Sequence, residues 1–169
     1  MQLPTAILQG AAGSNEYRRN LPYYQKDNRI LFFTYATWHR WKLPEIALDL
    51  AFDSCRRANG RKYSLCAAVV MPDHVHLSCM PLLDENGSIL IPEITRSIKS
   101  DSARRITKAL VRTGRVWQDE SFDRILRGDE SLRREVMYIL QNPVRSGLAT
   151  TPERYRWLWG DEKLIESPG

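Results

Sequence analysis

Hydrophobic side chains recur along this chain with two different periods, and the switches between them mark out the elements. Residues 30–38 read Ile-Leu-Phe-Phe-Thr-Tyr-Ala-Thr-Trp, aromatic and β-branched over a strand-like length, and predict a first strand. Leu43, Ile46, Ala47, Leu50, Ala51 and Ala58 then follow helical spacing, with Pro44 near the start and Gly60 just past the end as a stop signal. Residues 63–70 and 74–80 are two further short strands, joined at Met71-Pro72-Asp73, where proline and aspartate break the ladder. After a loop holding Asp84-Glu85-Asn86-Gly87, Pro92-Glu93 opens a second helix with Ile94, Ile98 and Ile106 inward and basic residues outward. Trp117-Gln118 and residues 122–126 read as a strand or strand pair. Asp129-Glu130-Ser131 offers capping oxygens for a third helix that must stop near Asn142-Pro143.

Strand, helix, hairpin, helix, strand, helix is the order of an α+β sandwich. The expected fold is ferredoxin-like, a mostly antiparallel sheet with helices on one side, its hairpin central and the terminal helix lying across the sheet near it. A chain of 169 residues fits one domain with a core of its own. Residues 1–29 lack clear periodicity and read as an N-terminal extension, 30–148 as the domain, and 149–169 as a C-terminal tail that Trp157-Leu158-Trp159 packs onto it. Cys55, Cys66 and Cys79 include no C-x-x-C pair, which argues for a reducing compartment and against a cysteine-rich zinc site. No stretch approaches the roughly 18 apolar residues of a membrane span, so a cytoplasmic protein is expected.

Chemistry concentrates in two places. His74 and His76 are two of the three histidines, and at i, i+2 on a strand they project from one face with Cα atoms about 6–7 Å apart, which is chelating geometry for a divalent metal. Spacing alone also fits an ordinary half-buried strand. In the last helix Leu132, Val136, Ile139 and Leu140 fall on one side at about 100° per residue. Tyr138 falls roughly opposite them, with Asn142 one turn later on its own stripe. A phenolic nucleophile and an amide oxygen then share one surface, although a half-exposed tyrosine beside a helix-ending asparagine gives the same pattern.

A net charge of +5 and a pI near 9.3 favour a polyanionic partner. Its distribution matters more: Arg96, Lys99, Arg104, Arg105, Lys108, Arg112 and Arg115 stand against a single acid, Asp101, in the second helix and its exit. Such a run is either a track for phosphates or a solvated face.

The His74-Val75-His76 strand preceded by Met-Pro-Asp, then Trp117-Gln118, a strand holding Asp123, and Tyr138-Ile139-x-x-Asn142-Pro143-Val144-Arg145-x-Gly147-Leu148 together resemble the single-tyrosine HUH transposases (the IS200-like family). More closely they resemble the branch associated with repetitive extragenic palindromes (REP) in bacteria. The resemblance covers about residues 30–148. It implies a metal-dependent single-strand DNA endonuclease and strand-transferase. His74 and His76 would hold Mg²⁺ or Mn²⁺, with Asn142 at a third ligand position that is glutamine in many members and Gln141 second, about 100° away on the helix. Tyr138 would be the nucleophile, forming a 5′-phosphotyrosyl intermediate and a free 3′-OH.

The resemblance further implies single-stranded or hairpin DNA as substrate, a protein that is a monomer or a homodimer, and a place at the bacterial nucleoid. The basic residues of the second helix, with Arg133 and Arg134, would track phosphates, while Tyr23, Tyr24, Trp38 or Trp157 would stack bases. Two rival classes remain open at this point. A catalytically silent DNA-binding module of the same fold would lack one of His74, His76 or Tyr138, and none is lacking. A metal-dependent nuclease using water would nick DNA without a covalent adduct.

Overall fold

In a computed structural model, residues 29–126 and 128–166 are described, so the expected extension and Tyr23 and Tyr24 lie outside the described residues. The first strand is β1 (Ile30–Ala36), followed by helix α1 (Glu45–Arg57) and the hairpin β2 (Tyr63–Met71) and β3 (His74–Pro81). A small ribbon, β4 (Leu83–Asp84) with β5 (Gly87–Ser88), precedes α2 (Ile91–Ala109). Then come β6 (Phe122–Leu126), α3 (Asp129–Arg145), β7 (Leu158–Gly160) and α4 (Glu162–Glu166).

The main sheet has the order β6-β1-β3-β2-β7, with every neighbouring pair antiparallel. Both β1-α1-β2 and β3-α2-β6 are therefore crossovers that skip one strand, and these two split units make the expected ferredoxin-like core. Helices α1 and α2 pack together against one face. Leu31, Phe33 and Tyr35 of β1 point into that layer with Val75, Leu77 and Cys79 of β3.

The expectation of helices on one side holds for α1 and α2 and fails for α3. Ile30 and Phe32, the other parity of β1, join Val69, Met71 and Leu126 in a second core, closed by Leu132, Val136, Ile139 and Leu140 of α3. The reason is visible along β2, which is apolar at nearly every position from Leu65 to Met71 and must be covered on both faces. An irregularity at Cys66, where the β2–β3 register shifts between Leu65 and Ala67, turns Cys66 and Ala67 together toward the second core.

Within the segment expected as a C-terminal tail, residues 158–160 form a strand of the sheet. β7 pairs with β2, and the buried Tyr155 hydroxyl donates to the Val70 carbonyl at 2.8 Å. Trp117 makes only an isolated bridge with Thr37, and its indole N–H donates to Ser102 Oγ at 2.9 Å.

Helix α3 also departs from expectation at both ends. Its N-cap is Gly128, which offers no capping oxygen. It runs through Pro143 to Arg145, because a proline late in a helix forfeits one bond, to the Ile139 carbonyl, without forcing a stop. Gly147 at φ 71° then closes it: its N–H bonds to Val144 and the Leu148 N–H to Pro143, the paired bonds of a Schellman ending. All three cysteines are buried, and burial pushes the Cys55 and Cys66 thiols up to about 12. Among the described residues no helix is long and apolar enough to cross a membrane.

The second core fixes where α3 sits, and Ile139 is fully buried at its centre. Ile139→Ala should cost about 2–5 kcal/mol in urea unfolding; a loss below about 1 kcal/mol would mean that this contact does not anchor the helix.

Candidate active site

The pairing of β3 with its neighbours decides which way the histidines face. His76 lies opposite Thr34 of β1 and Val69 of β2, and His74 opposite Ala36 and Met71. Phe32, Val69 and Met71 belong to the core beneath α3, so both imidazoles project toward that helix and away from α1 and α2. Their ring centroids are 4.8 Å apart.

Tyr138 meets them from above. Its ring centroid is 5.5 Å from that of His76 and 6.1 Å from that of Phe32, which itself stacks on His76. The side chain stays 37% exposed, because helical spacing puts it outside the apolar stripe of Val136, Ile139 and Leu140. Arg145 places its guanidinium 5.7 Å from the Tyr138 ring centroid.

Both histidines are held through Nδ1. The Nδ1 of His74 lies 2.7 Å from Asp73 Oδ1; an ionised carboxylate only accepts, so the ring donates. Asp73 is gripped in turn by Lys42 Nζ at 2.9 Å and Arg40 Nε at 3.5 Å. Burial works to raise this carboxyl, but the bonds from His74 and Lys42 and the charge of Arg40 outweigh it and hold it below its ordinary value. The Nδ1 of His76 lies 2.7 Å from Thr34 Oγ1. With Thr34 accepting, each ring keeps an unprotonated Nε2, the arrangement by which outer partners orient metal-ligating histidines.

His76 is 7% exposed, and burial first, then the neighbouring His74, pushes its pKa down to about 4. A neutral imidazole is the ligating form. Asn142 is equally buried, and among the described residues its side-chain amide has no hydrogen-bond partner. No group of three His, Cys, Asp or Glu side chains assembles among the described residues. The two imidazoles, 4.8 Å apart between ring centroids and each engaged at Nδ1, are the donor pair that the described residues bring together.

The basic run of α2 is not brought to this site. α2 covers the opposite face, and its cations have other work: Arg105 binds Asp53 and Asp101 and joins α1 to α2, and Arg104 pairs with Asp101. Lys99 donates to the Gln118 and Asp119 carbonyls, and burial lowers its pKa against the pull of Asp119 and Glu120. Arg96 and Lys108 are exposed on that far side. Arg112 and Arg115, past the helix end, approach the His74 end of the sheet, since Trp38 N–H bonds to the Val116 carbonyl. Arg133 and Arg134 are on α3, half-buried and exposed. Asp123 pairs with Phe33, whose side chain faces α1 and α2.

Sequence reasoning passed over Thr34, Asp73, Arg124 and Glu135. Arg124 on β6 pairs with Glu135 on α3, one turn before Tyr138, and its guanidinium lies 5.7 Å from the Phe32 ring centroid. Asp73 could have been found from its place beside His74, whereas the others depend on strand register.

The chain is 29% identical over 92 residues to a Haemophilus influenzae (strain Rd KW20) protein that bears the name "Putative REP-associated tyrosine transposase". That match covers 50% of this chain and 52% of the other, so the chain spans about half the length of that curated relative. The solved structure of a REP-associated tyrosine transposase bound to a REP hairpin superposes with a TM-score of 0.54 at 26% identity, over 73% of this chain and 72% of that one. No protein-family model matches the chain.

Because His76 is harder to protonate folded than unfolded, the unfolded chain takes up the proton first as pH falls. Stability should therefore be greatest above about pH 6.5 and decline between about 6.5 and 4, by up to roughly 3 kcal/mol from this group. Urea unfolding at pH 7 and pH 4.5 should show a smaller acid loss in His76→Gln than in the parent; equal losses would place the acid sensitivity elsewhere.

Proposed function

We propose that the chain is a REP-associated tyrosine transposase, like the proteins it is similar to, and that it cuts and rejoins single-stranded or hairpin DNA through a covalent bond to Tyr138. The observation that carries this reading is the packing of an exposed tyrosine 5.5 Å, ring to ring, from a buried histidine whose Nδ1 is already engaged. Chance core packing has no need of a polar pair held through one nitrogen and left open at the other.

His74, His76 and Asn142 would hold Mg²⁺ or Mn²⁺. Bound there, the ion would supply Lewis acidity to a non-bridging oxygen of the scissile phosphate. The Tyr138 oxygen attacks phosphorus in line with the 3′ oxygen. A Tyr–O–P bond forms, the P–O3′ bond breaks, the phenolic proton passes to solvent, and the departing oxygen is protonated to a free 3′-OH. The 3′ fragment stays on the protein through its 5′ phosphate, the 5′ fragment leaves with the free 3′-OH, and attack by another 3′-OH reverses the chemistry without an external energy source. A phenol is a better leaving group than a sugar hydroxyl, which favours tyrosine over serine for a reversible join.

Arg145 supplies positive charge beside the Tyr138 ring. Glu135, paired with Arg124, and the buried Val136 and Ile139 hold the helix so that the phenol faces the histidines.

Hairpin DNA with single-stranded flanks, end-labelled and incubated with Mg²⁺, should give a protein band carrying label on the 3′ fragment in a denaturing gel, absent in EDTA. Tyr138→Phe should abolish that band and leave hairpin binding nearly intact. Label on the Tyr138→Phe protein would remove this residue from the chemistry, and free nicked DNA without adduct would replace the reading by a nuclease using water. At limiting Mn²⁺, His76→Ala should slow cleavage by at least about 10–100-fold; an unchanged rate would remove His76 from the metal site.

A further inference from the structure

We propose that the turn at residues 38–42, together with Arg112 and Arg115, is the platform along which single-stranded DNA enters the Tyr138 site, with one unpaired base stacked on Trp38. This deepens the transposase reading by naming where its substrate runs.

The segment reads Trp-His-Arg-Trp-Lys and leaves β1 beside His74, since Ala36 is the residue paired with His74. His39 and Arg40 are both left-handed, at φ 52° and 55°. Two successive side-chain-bearing residues in that region are strained, and such strain persists only where the surroundings enforce it. Here both ends are fixed. The Thr37 N–H and Oγ1 bond to the Asp73 carbonyl at 2.9 and 3.1 Å, and Leu43 N–H bonds to the Pro72 carbonyl at 2.7 Å.

What the forced turn achieves is display. Trp38 is 37% exposed, with the Arg115 guanidinium 4.9 Å from its ring centroid. Arg112 lies 3.9 Å from the Trp41 ring centroid, and its Nη1 is buried with no acceptor among the described residues. Arg40, Lys42 and Arg115 expose more than half of their side chains. Arg112 and Arg115 thus lie against the two indoles, and Arg40 and Lys42 belong to the same turn; Asp73 pairs with Arg40 and Lys42, and Asp119 with Arg115. Arg40 and Lys42 also grip the carboxylate that orients His74, so the patch runs directly into the site.

Aromatic faces set among cations are the recurring combination for single strands, where bases stack and phosphates are neutralised. A base paired in a duplex could not lie on Trp38. The other candidate aromatic, Trp157, is committed: its indole N–H donates to Asp49 Oδ1 at 2.8 Å, and it packs against both cores.

The test uses the full chain carrying Tyr138→Phe, in EDTA, and the fluorescence anisotropy of a labelled oligothymidylate about 20 nucleotides long, since stacking is sequence-tolerant. Trp38→Ala should weaken binding about 5–100-fold and Trp38→Phe should restore most of it. Arg115→Gln should lower the slope of log affinity against log salt by about 0.7. Arg104→Gln, on the far face, should change neither. The proposal falls if Trp38→Ala binds like the parent, if Arg104→Gln weakens binding as much, or if the parent prefers duplex to single strand. Because no chemistry occurs in this assay, Trp38-dependent binding without any Tyr138 adduct in the cleavage assay would retain the platform and discard the covalent mechanism. Adduct formation with Trp38-independent binding would do the opposite.

Discussion

Strand side chains alternate between faces, so a strand that is apolar at successive positions has to be covered twice. In this protein β2 imposes that condition on the whole sheet. The pair α1 and α2 satisfies one face and α3 the other, and the second covering is what brings Tyr138 over the histidines. Polar groups at the site inherit their directions from this apolar requirement. The imidazoles look toward α3 because they share parity with Phe32 and Met71, and the phenol looks toward the imidazoles because Val136 and Ile139 occupy the neighbouring stripe.

A second organising element is the carboxylate of Asp73. It accepts from His74 on one oxygen and from Lys42 on the other, with Arg40 close by. Two requirements are thereby linked through one side chain: orientation of the His74 ring, and anchorage of the strained turn that carries exposed cations. A change in the turn is therefore felt at His74, although no residue of the turn touches the ring itself.

What could be read from the chain was whatever depends on local period. The i, i+2 histidines and the outward-facing Tyr138 were legible because strand and helix geometry fix their faces without knowledge of the rest. The two split crossovers followed from element order. Hidden were features set by partners distant in sequence. Arg105 resembles a phosphate contact until Asp53 of α1 is placed beside it. Thr34 has no distinguishing mark until register sets it opposite His76. The strand in residues 158–160 is too short to announce itself next to two tryptophans, and the second layer was missed with it.

Gly160 shows how the last strand bears on the first chemistry. A Cβ at that position would stand 2.9 Å from Leu140 Cδ2, so β7 presses its backbone against the tyrosine helix. Synthesis runs from the N-terminus, and the two crossovers can close once residue 126 has emerged. The strand that wedges α3 into place is translated some thirty residues later. Until β7 has emerged, a nascent α3 has the second core to rest on but lacks the backbone that backs Leu140.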